Sequence, residues 1–171
     1  MSILKFENRT PRSLEEMHRY LINPAKTNAC GLIGLGVNPF NPVAEMRFVQ
    51  SLYYKENLSH DYLQVIFAFD VGIKIDIMTL REICMRIAEV LIIDRRQVFG
   101  AIHYLNTDKI HCHYIINYVS IDGDLYQQGR SVQFYKKRIN EILSDYRLKP
   151  IYFNFEQIRP AMKSQVVEAG T

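Results

Sequence analysis

Three of the five histidines, His103, His111 and His113, fall within eleven positions, and together they could hold a divalent metal ion. Neutral imidazole is the commonest nitrogen ligand for such ions, and three protein ligands with positions left open suit a catalytic ion better than a structural one. Whether the rings converge depends on the backbone that carries them. Residues 98–105 (VFGAIHYL) and 110–119 (IHCHYIINYV) are rich in β-branched and aromatic residues, and Asn106, Thr107 and Asp108 between them are turn material, so the stretch reads as a β-hairpin. Side chains alternate along a strand, which puts His111, His113 and Asn117 on one face and Cys112, Tyr114 and Ile116 on the other. A turn centred on Thr107 sets His103 opposite His111, and one centred on Asp108 sets it opposite His113. Either register brings the three rings to the same face.

Asp108, at the turn, could accept a hydrogen bond from a second ring nitrogen and fix its tautomer. Asn117 lies roughly 13 Å along the strand from His113, too far to share an ion, and a DNA contact or a structural one is expected of it. The competing reading of the same pattern is a polar, solvated sheet face that holds no ion.

The elements around the hairpin follow from periodicity. Residues 2–6 can form a short strand. Ser13 and Glu16 make a capping box, with Leu14, Met17, His18 and Leu21 at helical spacing behind it. Pro24 ends that helix near residues 20–22, which leaves Tyr20 at its end. Residues 27–42 carry three glycines and two prolines, and read as a loop or short strand; no GKS or GKT follows, so this is no phosphate loop. A helix is expected over 42–56, burying Val43, Met46, Val49 and either Leu52 or Tyr53. A central strand follows over 61–69. The next helix, over 79–93, is capped by Thr79 and buries Leu80, Ile83, Ile87 and either Val90 or Leu91. After a turn at residues 122–124, a last helix over 131–146 turns Val132, Tyr135, Ile139 and Ile142 or Leu143 inward. Its other face carries Lys136, Lys137 and Arg138, either a surface for backbone phosphates or a solvated helix face. The last dozen residues show no pattern and are expected to fray. The predicted fold is α+β, a central antiparallel sheet of about five strands with helices packed on its faces.

The 171 residues, 48% hydrophobic and 23% charged, fit one globular domain over 1–171 with a sizeable core. No apolar run approaches the roughly 18 residues of a membrane span, and the N-terminus lacks a secretory signal, so a soluble cytoplasmic protein without membrane insertion is expected. Cys30, Cys84 and Cys112 form no CxxC pair, which argues against a disulfide framework or a zinc ribbon. The net charge of +3 permits a polyanionic partner without requiring one.

The pattern from His103 to Asn117, with Asp108 ahead of the closely paired His111 and His113, resembles the metal-binding motif of conjugative relaxases, in particular the VirD2-like mobilisation nucleases of the HUH endonuclease superfamily. The stretch with Tyr20, Pro24, Lys26 and Thr27 is similar to the segment that carries the family's nucleophilic tyrosine. The order of strand, helix, histidine hairpin, turn and basic helix also matches, so the resemblance covers about residues 14–146 of the chain. It implies an HUH relaxase-like fold and a bacterial enzyme that nicks single-stranded DNA at an origin of transfer. Tyr20 would be the nucleophile, forming a 5'-phosphotyrosyl intermediate and releasing a 3'-hydroxyl. His103, His111 and His113 would hold the divalent ion, Mn2+ or Mg2+, with Zn2+ also fitting. A phenol ordinarily ionises at about pH 10, so the ion's field or a nearby base would have to activate the tyrosine. Lys26, Asn117 and the basic helix (Lys136, Lys137, Arg138) would hold the DNA. Accessory relaxosome and coupling proteins are the expected further partners.

Two features depart from the family pattern. Gln64 stands where many members have a histidine, and the chain ends soon after the nuclease core, as a fragment or a minimal relaxase lacking secretion, dimerisation or helicase regions would. Three other readings compete. A replication initiator or transposase of the superfamily usually has its tyrosine after the histidines rather than before them. A DNA-binding accessory protein would keep the fold without cutting. A three-histidine zinc hydrolase of small substrates would need a deep apolar pocket.

Overall fold

Strand alternation and one hairpin register account for most of the architecture. The computed structural model describes residues 1–7, 12–92 and 94–152; the expected fraying of the last dozen residues lies outside them. In chain order the elements are β1 (Ile3–Glu7), α1 (Leu14–Leu21), a 3-10 turn (Ala29–Gly31), β2 (Leu32–Leu35), α2 (Pro42–Leu52), β3 (Tyr62–Ala68), α3 (Ile77–Leu91), β4 (Val98–His103), β5 (His111–Asn117) and α4 (Val132–Asp145). The five strands form one antiparallel sheet in the order β1-β3-β5-β4-β2, so the histidine strand β5 is central, between β3 and β4.

The alternation of β5 gives each face its own core. Cys112, Tyr114 and Ile116 point to the back, where they pack with Val65 and Phe67 of β3, Ile83 and Ile87 of α3, and Tyr135, Ile139 and Leu143 of α4. His111, His113, Ile115 and Asn117 point to the front, where α1 and α2 bring Leu14, Met17, Leu21 and Met46 onto Tyr62, Phe99, Ala101 and Ile115. The basic residues of α4 therefore lie on the opposite side of the sheet from the histidines.

Cap chemistry sets the helix ends. The Ser13 hydroxyl accepts from the Glu16 N–H and the Glu16 carboxylate accepts from the Ser13 N–H, the reciprocal box expected from the sequence. The cap of α3 is Asp76 and not Thr79: its carboxylate accepts from the Thr79 backbone N–H at 3.0 Å and from the Thr79 hydroxyl at 2.7 Å, so the helix starts at Ile77. Helix α2 stops at Leu52, short of the expected residue 56. Tyr54 adopts φ +55, and the Lys55 N–H turns back to the Gln50 carbonyl. Its buried positions are Pro42, Met46, Val49 and Gln50; Val43 is half-buried, and Leu52 and Tyr53 are exposed.

An ion cluster locks α1 to α2. The Arg47 guanidinium donates to both Glu15 oxygens, at 2.8 and 2.9 Å, and to Asp61 ahead of β3 at 2.9 Å. The hydrogen bonds from Arg47 hold the Glu15 carboxyl down to about 2 from an ordinary 4.5. A depressed carboxyl contributes stability that is complete above the ordinary value and is lost as pH falls toward the lowered one. Glu15 is partly exposed, so screening keeps the effect under about 1 kcal/mol. Glu15→Gln should thus cost under about 1 kcal/mol near neutrality and nothing near pH 2, with the difference closing below about pH 4.5. Urea denaturation across that range measures it, and a constant difference would deny the pair any charge contribution.

Candidate metal centre

Cross-strand pairing sets His103 directly opposite His111 and Ala101 opposite His113, which is the register of a turn centred on Thr107. All three rings face the front, with centroids 4.7–5.0 Å apart, and one nitrogen from each lies within 4.8 Å of the others. His103 and His113 are buried, and His111 is half-buried at the mouth.

The outer ring nitrogens determine which atoms are left to bind. His103 Nε2 lies 2.8 Å from the carbonyl of Leu21, the last residue of α1, and His111 Nδ1 lies 2.9 Å from the Lys109 carbonyl. A carbonyl can only accept, so both nitrogens carry the proton and donate, leaving lone pairs on His103 Nδ1 and His111 Nε2. His103 Nδ1 is buried without a hydrogen-bond partner among the described residues. An orphaned buried imidazole lone pair inside a trio of imidazoles fits a metal ligand. Burial pushes His113 down to about 3, helped by the neighbouring histidines and Lys26, and burial likewise lowers His103. Both are therefore neutral at physiological pH, the form that ligates.

Asp108 does not play the part expected of it. It is exposed at the hairpin tip, and the outer nitrogens are held instead by the Leu21 and Lys109 carbonyls and by Gln64, whose amide lies 3.1 Å from His113 Nδ1. These partners are all neutral, and the cation Lys26 adds to the field on His103 and His113. An ion bound here would keep its full positive charge, which suits an anionic ligand.

Tyr20 stands one residue before the Leu21 carbonyl that holds His103. Its ring meets His113 edge-on, 6.5 Å between centroids at 85°. Arg12 and Lys26 each lie 4.5 Å from the centre of the Tyr20 ring, and Lys26 Nζ donates to its hydroxyl at 3.4 Å. The loop that carries Lys26 is stitched to the hairpin, because its carbonyl accepts from the N–H groups of Tyr104 and Leu105 at 3.0 and 3.1 Å. That diversion also ends β4 at His103, two residues before the expected boundary. Beside His103 and His111, an open pocket of about 390 Å³ runs between Lys26 and the hairpin residues Leu105, Asn106 and Thr107.

Of the two roles open to Asn117, the geometry leaves the structural one. It is fully buried; its Nδ2 donates to the Met46 carbonyl and to Gln97 Oε1, and its Oδ1 accepts from Gln50 Nε2 and the Val119 N–H. No polar atom of the side chain is left for DNA. Lys136, Lys137 and Arg138 do not join the site either: they sit behind the sheet, where Lys136 reaches the Tyr152 carbonyl and Arg138 pairs with Glu141. Arg12 and Gln64 are the contributors that sequence reasoning left unassigned. Arg12 bears no signal apart from its charge just ahead of the capping box. Gln64 is marked in the sequence by standing where many family members have a histidine, and alternation puts it on the histidine face, diagonal to His113.

A family model described as "Relaxase: MobA/VirD2-like, nuclease domain" matches residues 20–148. No curated protein matches the chain. Among solved structures, a chain described under "Molecular Basis of Vancomycin Resistance Transfer in Staphylococcus aureus" is similar at 13% identity and TM-score 0.47, covering 71% of this chain and 75% of that one.

Asn117→Ala should strand several buried partners, including Gln50 Nε2 and the Val119 N–H, and cost roughly 2–4 kcal/mol in urea denaturation. Affinity for single-stranded DNA, read by fluorescence anisotropy well below the melting temperature, should stay at the wild-type value. A loss of affinity in a variant that remains folded would return Asn117 to the DNA surface.

Proposed function

This chain belongs to the MobA/VirD2-like relaxase nuclease family, and from that premise we propose that it nicks single-stranded DNA at an origin of transfer through a covalent bond to Tyr20. The observation that carries the reading is the position of the Tyr20 phenol, with two cations against its ring and its edge on His113, one of three imidazoles whose outer partners are all neutral. A positively charged centre with a phenol at its edge is matched to an anionic phosphodiester. An ordinary hydrolytic site would need a positioned water and has no use for a tyrosine beside two cations.

His103 Nδ1 and His111 Nε2, with a nitrogen of His113, would hold the divalent cation. When bound, the ion supplies Lewis-acid stabilisation of the charge that builds on a nonbridging phosphate oxygen. The Tyr20 oxygen attacks phosphorus, a Tyr20–phosphate bond forms, and the bond from phosphorus to the 3'-oxygen breaks. The phenol proton is balanced by the proton that the released 3'-hydroxyl takes up. Lys26, already donating to the Tyr20 hydroxyl, offsets charge on that oxygen and on the adjoining phosphate, and Arg12 adds a second cation 4.5 Å from the ring centre. Because the phosphotyrosyl bond retains the energy of the bond it replaces, the reverse attack by a 3'-hydroxyl rejoins the strand. Mn2+ is the ion to try first, with Mg2+ and Zn2+ beside it.

The test incubates the protein with labelled single-stranded oligonucleotides tiled across the DNA around its own gene, with and without Mn2+, and resolves the products on a denaturing gel. A metal-dependent covalent adduct is expected, absent in Tyr20→Phe and retained in Tyr54→Phe, a change at a highly exposed tyrosine. Binding without an adduct would mark a non-cleaving accessory protein. Neither binding nor adduct would favour a small-substrate hydrolase.

A further inference from the structure

Each neutral imidazole has one N–H and one lone pair, so whatever holds its outer nitrogen decides what faces inward. For His103 and His111 the holder is a backbone carbonyl, which can only accept, and the inward lone pair is fixed. His113 is different: its outer nitrogen faces a primary amide, which can donate or accept. Gln64 Nε2 lies 3.1 Å from His113 Nδ1. With the amide nitrogen there, Nδ1 accepts and Nε2 keeps the proton, so His113 turns an N–H toward the other two rings. With the carbonyl oxygen there, Nδ1 is the donor and Nε2 becomes a third lone pair. Half a turn of the terminal amide interconverts the two.

The surroundings leave that half-turn open. Gln64 lies on β3 opposite Ile115, diagonal to His113 on the same sheet face, and is buried at 7% exposure. His113 Nδ1 is the hydrogen-bond partner found for its side chain among the described residues. We infer that Gln64 is the positioning residue that decides whether His113 offers a third lone pair, giving a two-nitrogen site with its amide nitrogen inward and a three-nitrogen site with its carbonyl inward. The inference rests on the trio being a metal site and not on the nicking reaction.

The consequence is a site whose affinity depends on a neutral, reversible partner. Gln64→Glu places an acceptor on Nδ1 permanently and adds a negative charge. It should tighten Mn2+ binding on the order of tenfold, and Gln64→Leu, which leaves Nδ1 without a partner, should weaken it about 10–100-fold. Mn2+ affinity of the whole protein, measured from the electron paramagnetic resonance signal of free Mn2+, reads both changes. Two-bond ¹H–¹⁵N correlation spectra of the histidines read the tautomer directly. Wild-type His113 should be protonated on Nε2 without metal and on Nδ1 with Zn2+, and Gln64→Glu should hold the Nδ1 proton in both. If the leucine variant does not fold, the glutamate variant and the spectra still decide. Equal Mn2+ affinity in wild type and Gln64→Glu, or one unchanged His113 tautomer with and without Zn2+, overturns the inference. No binding of either ion by wild type overturns it together with the metal reading. None of these measurements involves DNA, so an absent nick and a mistaken role for Gln64 are told apart.

Discussion

The hydrogen bond from His103 Nε2 to the Leu21 carbonyl carries more of the site than any other contact. It satisfies a carbonyl at the open C-terminal end of α1, where the helix has no partner of its own to offer. It fixes the tautomer of the most buried of the three imidazoles, leaving Nδ1 facing the other two rings. Because Leu21 follows Tyr20 directly, it also ties the phenol to the sheet that carries the three candidate metal ligands. One contact thus sets both the tautomer of His103 and the position of the nucleophile in the proposed reaction. The helix can deliver it only because Ser13 starts α1 where Leu14, Met17 and Leu21 fall on the sheet.

Charge around the site is arranged by omission as much as by placement. The outer partners of the imidazoles are two peptide carbonyls and an amide, and the cations flank Tyr20. A carboxylate on an outer nitrogen would bind an ion more tightly and neutralise part of its charge, blunting its pull on a phosphodiester. The acidic groups on this side are occupied elsewhere: Glu15 and Asp61 with Arg47, Glu16 with the α1 cap, Glu45 with the Asn38 N–H and Glu7 with Lys5. On the proposed reading, an ion held less tightly that stays more electrophilic would be the compromise.

How much of this was legible depended on whether the signal was local. The histidine face, the hairpin, the capping box at Ser13 and the amphipathic stripes of α1, α3 and α4 rest on spacing within a few residues, and the α+β sheet of five antiparallel strands follows from them. The hairpin register was open between Thr107 and Asp108 because both turns are short. Lys26, far away in the chain, resolves it by taking the Tyr104 and Leu105 N–H groups out of the ladder. Leu21 could not be foreseen as a partner, since what it offers is a backbone carbonyl. Asn117 looked available because one strand cannot show that Gln50 and Gln97 will converge on it. The stripe of α4 showed which side of the helix is buried but not which face of the sheet it covers, and that unknown separated Lys136, Lys137 and Arg138 from the site.

The two faces of the sheet divide stability from access. Behind it, α3 and α4, of 15 and 14 residues, close the larger core over β3, β4 and β5. In front, α1 and α2 are shorter, 8 and 11 residues, and among the described residues leave the β1 side open. By register, Ile3 and Lys5 of β1 share the histidine face, and both are exposed. A third long helix over that side would bury more apolar surface, at about 25 cal/mol per Å². It would also cover the half-buried His111 and the route to Tyr20. On the proposed reading, an extended polyanion must reach the imidazoles and the phenol together from one side, and a front layer this short is what lets a strand lie down there while the back layer keeps the sheet rigid.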